Sequence, residues 1–170
     1  KIPYAWPMKS LLIVFHSRTG GSAQMAEAAE TAAREGGEAE VRRLEATEAR
    51  PDDLLNADGY LFVCPENLAA ISGEMKAFFD RAYYPVLGRL EGRPYALMVC
   101  AGSDGENAVR QMARIATGWR LKAVADPIIV CTHAQTPEDI LAPKTIAPGE
   151  LARCRELGAG LAAGLALGIY

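Results

Sequence analysis

The chain is short of metal ligands. It has two histidines, His16 and His133, and its four cysteines, Cys64, Cys100, Cys131 and Cys154, stand far apart with no CxxC or Cys/His spacing. A histidine-rich or cysteine-based metal site therefore has no ligand set to build on. Three of the cysteines lie in or at the end of apolar runs, where cysteine serves as a small buried hydrophobe, and such thiols fit a reducing cytoplasm. Basic clusters are missing too: the formal net charge is −3 and the largest groups resemble Arg42-Arg43, which leaves no electrostatic footprint for a nucleic acid. The apolar stretch from Leu157 to Ile169 is too short for a normal membrane span, so no membrane insertion is expected. The start, Lys1 to Pro7, lacks the apolar core of a signal peptide and reads as a native arm or as leftover sequence ahead of a start at Met8. The common nucleotide fingerprints GxGxxG and GxxxxGK[ST] are also absent.

What remains is a globular composition. Half of the 170 residues are hydrophobic and 23% are charged, which suits one domain, residues 9–170, that folds without staples. Leu11 to Phe15 reads as a buried strand. Met25, Ala28, Ala29 and Ala32 then form an apolar helical face opposite a wet face of Gln24, Glu27, Thr31 and Arg34, and Gly36-Gly37 ends the helix. Glu40 to Leu44 is a short second strand with the arginines of an exposed edge. Gly59 to Cys64 is another buried strand, stopped by Pro65. Met75, Phe78, Phe79 and Ala82 mark a helix, Pro94 to Ala101 a fourth strand, and Val109, Met112, Ala113 and Ala116 another helix. Segment 52–56 reads as a turn. The last strand falls within Leu121 to Thr132, where Asp126-Pro127 interrupts it and places it at the margin. Gln135 to Pro148 reads as a long surface connection. Leu151, Cys154, Gly158, Leu161, Ala162 and Leu165 mark a core-facing terminal helix whose Gly160, Gly164 and Gly168 permit close approach to the sheet or to another subunit.

This alternation implies an α/β fold: a three-layer, doubly wound, five-stranded parallel sheet. A ligand is then expected beyond the carboxyl ends of the strands, at the switch in strand order, where loops 16–22, 65–72 and 102–107 converge. The first of them is the most telling. Ser17-Arg18-Thr19-Gly20-Gly21-Ser22 sits between the first strand and the first helix. Glycines let backbone N–H groups approach an anion, the helix N-terminus supplies unpaired donors, and the hydroxyls can donate as well. A phosphate fits such a seat; simple helix capping is the other use of these residues.

Three segments carry a resemblance to the flavodoxin-like superfamily, specifically its NAD(P)H-dependent FMN reductase and quinone oxidoreductase branch. FHSRTGGS resembles the FMN phosphate loop [ST]-x-T-G-x-[ST]. CPENLAAISGEMKAFFDRAYYP resembles a P-x-[NY]…[SG]-G-x-[LM]-K-x-[FL]-x-D-R segment. CAGSDGENA stands where the fourth-strand loop of that family meets the flavin edge. The likeness runs from about Lys9 to Leu167 and implies a flavodoxin-like sheet of order 2-1-3-4-5.

It further implies that Ser17, Thr19 and Ser22 bind the FMN phosphate through hydroxyls and Arg18, Gly20 and Gly21 through backbone N–H groups. Pro65, Glu66, Asn67, Leu68, Ala69 and Ile71 would line the flavin ring, and Ala101, Gly102, Ser103, Asp104 and Gly105 its edge. Leu68 and Ile71 would offer an open ring face without an aromatic, which suits a second reactant that must stack there. NADH or NADPH would be the donor, and a quinone, flavin or other small molecule the acceptor, with ping-pong kinetics and no catalytic side chain. A flavodoxin-type electron carrier docking to redox proteins is the alternative; another phosphorylated ligand is a third. Homodimers or homotetramers are implied, with Tyr83, Tyr84 and the last helix as candidate contacts. Glu66 is equally readable as loop surface, and Asp104 as turn chemistry. Asp80-Arg81 reads as a structural pair at a helix end, Arg18 as solvated and His133 as incidental.

Overall fold

Five apolar residues in a row leave no wet face, so Leu11 to Phe15 must be covered on both sides. In the computed structural model, which describes residues 7–170, they form β1 (Ser10–Phe15) inside a parallel sheet. The chain continues through α1 (Gly21–Glu35), β2 (Glu40–Glu45), α2 (Pro51–Leu55), β3 (Gly59–Asn67), β4 (Ala70–Ile71), α3 (Gly73–Val86), β5 (Pro94–Ala101), α4 (Glu106–Gly118), β6 (Lys122–Ala123), β7 (Ile128–Cys131), α5 (Pro137–Leu141) and α6 (Pro148–Leu167). Most of the N-terminal arm, residues 1–6, lies outside the described residues.

The sheet runs β2-β1-β3-β5, and both β6 and β7 pair in parallel with the far side of β5. This is the expected doubly wound, flavodoxin-like order, with its fifth strand split into two short pieces. Asp126-Pro127 falls in the gap, where proline removes a ladder donor. Three elements differ from expectation, one of them helix α5 inside the segment expected as a surface connection. Segment 52–56 is not a bare turn but part of α2, with Pro51 at the first turn and the Asp53 carboxylate accepting the Arg50 N–H at 2.8 Å. The end of β3 also doubles back as an antiparallel hairpin with β4.

Alternation along the strands divides the core into two clusters. Leu12 and Val14 join Tyr60, Phe62, Phe78, Phe79 and Trp119 on one face of the sheet. The Phe62 and Phe79 rings meet edge-on at 5.2 Å, and Tyr83 stacks on Trp119 at 5.7 Å. Of the two adjacent tyrosines, Tyr83 is thus the core residue, whereas Tyr84 is 78% exposed. Leu11, Ile13 and Phe15 pack on the other face with Met25, Ala29, Cys154 and Leu161 from α1 and α6. Asp80 and Arg81 do not pair with each other: Asp80 meets Lys76, while Arg81 donates to the carbonyls of Ala46 (2.7 Å) and Ala49 (2.9 Å) and pins that loop to α3.

Two glycines of α6, Gly158 and Gly164, serve close contacts within the chain, whereas a Cβ at Gly160 would meet open space. Gly158 lets the helix touch the backbone of α1, since a Cβ there would overlap the Ala29 carbonyl. The Tyr170 ring lies over Gly164, and its hydroxyl donates to the Gly160 carbonyl at 3.1 Å. Gly168 ends the helix with φ 65°.

Gly158→Ala should lower stability by about 2–3 kcal/mol, because the two helix backbones must separate; a denaturant titration reads this directly. Burial pushes the thiols of Cys64 up to about 12 and those of Cys100 and Cys154 up to about 11. Between the ordinary thiol range, about pH 8.5, and those values the native chain holds protons that the unfolded chain has lost. Stability should therefore fall as pH rises through that window, which a denaturant midpoint series across alkaline pH would show.

Candidate functional site

Parallel strands end at one edge of the sheet. From β1 the chain crosses to β2 on one side, and β3 lies on the other, so the helices diverge there and leave a crevice. A cleft opens at this edge, where ligands of such sheets bind. Loops after β1, β3 and β5 all reach it, as the alternation of strands and helices predicts.

After β1 the chain turns through Ser17, whose hydroxyl accepts the Gly20 N–H at 3.2 Å. Gly20 adopts φ 100°, a left-handed conformation that side chains disfavour, and so releases the chain into α1. Gly21 is packed so closely that an added Cβ would lie 2.5 Å from the Cys100 sulfur. The first turn of α1 carries no acidic residue, so nothing offsets the positive end of the helix. The Ser22 hydroxyl, in that turn, is buried without a hydrogen-bond partner among the described residues. A buried hydroxyl beside unpaired helix N–H groups is costly unless an acceptor arrives. Phosphate oxygens are such acceptors, so these residues fit the phosphate of FMN. Arg18 and Thr19 line the cleft next to them, and Arg18 is exposed.

Pro65, Glu66 and Asn67 form the second wall. One Glu66 carboxylate oxygen is buried and unpartnered among the described residues, a second acceptor waiting for a donor. Beyond Asn67 the hairpin turns on Leu68 and Ala69, both left-handed at φ 49° and 64°. Two consecutive left-handed residues define the turn that asparagine-glycine ordinarily occupies, so this tip is strained. Side chains of α4 hold it down: Asn107 donates to the Ala69 carbonyl, and Gln111 accepts the Ile71 N–H at 2.9 Å. The hairpin separates the aliphatic pair expected at a ring face. Leu68 is fully exposed at the tip, and Ile71 is buried in the core.

Ala101 and Gly102 close the third wall. Ser103 and Asp104 are exposed beyond it, and the Asp104 carboxylate accepts the Glu106 N–H at 3.2 Å, as ordinary turn chemistry. Gly105 is buried before α4. Cys100 lines the cleft, but burial pushes its thiol up to about 11, so it is a packing group and not a nucleophile. His16 bridges to the hydroxyl of Ser72 at 2.9 Å and to Glu74 at 3.5 Å, away from the cleft lining. His133 is exposed with φ 59°. No cluster of metal-ligating side chains occurs among the described residues, and none of their helices is long and apolar enough to cross a membrane.

The fourth wall has no precedent in the sequence pattern. The segment after β7 folds back over the loop that follows β1, and Thr132, Ala134, Ile140, Leu141 and Lys144 line the cleft. Its anchor is Gln24, expected on the wet face of α1. The Gln24 amide donates to the carbonyls of Gly20 (2.9 Å) and Lys144 (2.7 Å) and accepts the Ile146 N–H at 3.0 Å. A glutamine one turn after a glycine-rich loop carries no sign of a partner 120 residues away.

The sequence profile described as NADPH-dependent FMN reductase matches residues 8–136. A flavodoxin of Aquifex aeolicus is 34% identical over 107 residues, 62% of this chain and 58% of that protein. An NAD(P)H dehydrogenase (quinone) of Acidithiobacillus ferrooxidans is 35% identical over 94 residues, 44% of this chain and 47% of that protein. The matches thus span about half the length of these curated relatives. Among solved structures, oxidised flavodoxin 1 of Bacillus cereus superposes with a TM-score of 0.75 at 18% identity, over 92% of this chain and 99% of that one; at this identity the likeness concerns the fold.

Replacing Leu68-Ala69 by asparagine-glycine should stabilise the protein by about 1–2 kcal/mol, because both positions then tolerate their left-handed backbone. Thermal and denaturant unfolding would record the gain.

Proposed function

This chain belongs to the NADPH-dependent FMN reductase family, and from that premise we propose that it is an FMN-dependent oxidoreductase taking electrons from NADH or NADPH and giving them to a small acceptor such as a quinone or a flavin. The buried, unpartnered Ser22 hydroxyl at the positive end of α1 is the observation that carries the reading. Ser17 and Thr19 supply further hydroxyls, and Arg18 and Gly21 supply backbone donors, joined by Gly20 once its N–H turns from the Ser17 hydroxyl to the anion, so the phosphate is held largely by neutral groups. Pro65, Glu66, Asn67, Leu68 and Ala69 on one side, and Ala101, Gly102, Ser103, Asp104 and Gly105 on the other, flank the ring in this reading; Ile71 supports the hairpin from the core.

FMN bound there would supply the hydride and electron chemistry. The protein's part is to position it. The Glu66 carboxylate can accept a hydrogen bond from the ring system, and the α4 side chains keep the strained hairpin at its flank. Among the described residues no aromatic side chain lines the cleft, which leaves room for a flat second reactant and favours an enzyme over a carrier. A homodimer or homotetramer, with exposed Tyr84 in a contact, and a reducing compartment suited to four free cysteines belong to the same proposal. The relatives include a flavodoxin as well as quinone dehydrogenases, so an electron carrier is the reading to test against.

An anaerobic visible spectrum of the FMN-supplemented, desalted protein, recorded before and after adding NADPH or NADH, separates these readings. Retained yellow colour that bleaches with one nucleotide is expected and identifies the donor. Colour that persists with both nucleotides would mark a carrier, and a colourless protein would remove the FMN reading. Steady-state kinetics with a quinone should be ping-pong, with parallel double-reciprocal lines.

A further inference from the structure

The strap from Gln135 to Ala147 lies almost wholly beyond residues 8–136, the part matched by the family profile. Its helix α5 is odd in one respect: none of its residues is buried. It therefore gains little from packing on the rest of the chain, which is what usually holds a short helix in place. Polar bonds hold it instead. The Thr136 hydroxyl caps its start by accepting the Asp139 N–H at 3.2 Å. The Lys144 ammonium closes its end by donating to the carbonyls of Asp139 (2.7 Å), Ile140 (3.0 Å) and Ala142 (2.6 Å).

Three further bonds tie the strap to the loop after β1 and to the start of α1. The Lys144 N–H donates to the Thr19 carbonyl at 2.8 Å, and the Gln24 amide joins the Lys144 carbonyl and the Ile146 N–H to Gly20. Ile146 is buried and fixes the far end. The consequence is a pair of adjacent aliphatic side chains, Ile140 at 51% and Leu141 at 64% exposure, held at the lining of the cleft. Arg18, Thr19, Pro65 and Asn67 line the same cleft. A chain that spends so many polar bonds on keeping two aliphatic side chains wet at a ligand cleft leaves them for the ligand to cover.

We propose that Ile140 and Leu141 are contact residues that cover FMN in the cleft, and that Gln24 is the positioning residue that sets them there. The inference rests on the FMN reading above. It makes the strap a retention element: the same amide that braces the phosphate loop at Gly20 places the cover, so filling the loop and closing the strap reinforce each other.

The test uses the full chain loaded with FMN and reads FMN release by ultrafiltration over time, together with hydrogen exchange at the Lys144 and Ile146 amides. FMN should slow exchange at both. Ile140→Ser combined with Leu141→Ser should speed release by about tenfold or more, the loss of two aliphatic contacts. Ile140→Val with Leu141→Met should restore retention to within about twofold, since it keeps the apolar cover. Gln24→Met, which keeps length but loses all three bonds, should speed both release and exchange while the melting temperature of the FMN-free protein stays close to that of the wild type. Wild-type release from the double serine variant, or exchange at Lys144 and Ile146 unaffected by FMN, would overturn the inference and leave the cofactor reading standing. Protection of the strap without FMN that grows with protein concentration would also overturn it, by giving the cover to a second copy. Failure of the wild type to take up FMN would overturn the cofactor reading and the strap with it.

Discussion

A parallel ladder puts every strand's carboxyl end at the same edge and obliges helices to cover both faces of the sheet. From those two demands the site follows. The crossovers leaving β1 and β3 go to opposite faces, and the gap between them cannot be filled by either layer. Loops that would otherwise be incidental connections meet there, with the positive end of α1 beneath them. The aromatic cluster of Tyr60, Phe62, Phe78, Phe79 and Trp119 gives the sheet a rigid backing on one face, and the contact of α1 with α6 through Gly158 gives it one on the other. The cleft stands on well-packed elements and is made of loosely satisfied ones.

That contrast is chemical as well as mechanical. The core leaves few polar groups buried, yet among the described residues the Ser22 hydroxyl and one Glu66 carboxylate oxygen lack partners, and both belong to segments that border the cleft. Leu68 and Ala69 hold a turn that their side chains oppose. Ile140 and Leu141 are wet aliphatics. Each is locally unfavourable, and each sits at the same edge of the molecule. Such departures from local consistency gather where a ligand is to be met, because there the missing partner comes from outside the chain. The membership in the NADPH-dependent FMN reductase family identifies the kind of ligand.

The fold was legible in the residues because hydrophobic period is a local property. The apolar runs at β1, β3 and β5 and the helical stripes of α1, α3 and α4 are written within a few residues of one another, and Asp126-Pro127 marks the break between β6 and β7. The proposed phosphate seat was legible for the same reason: hydroxyls and glycines between a strand and a helix are contiguous. By itself the sequence determined the strands, the helices and their layering, and it marked the loop Ser17 to Ser22 as a candidate anion seat; the strand order came with the family resemblance. Tertiary structure alone decided which side chains line the cleft. It sent Ile71 into the core and Leu68 to the tip, because a two-residue hairpin reverses the chain in a way that periodicity does not encode. It paired Arg81 with the carbonyls of Ala46 and Ala49 and not with Asp80, and it brought Gln24 to Lys144 and Ile146 across 120 residues. A hydrogen bond between distant residues needs only one donor and one acceptor of common type. No spacing announces it until the chain has folded.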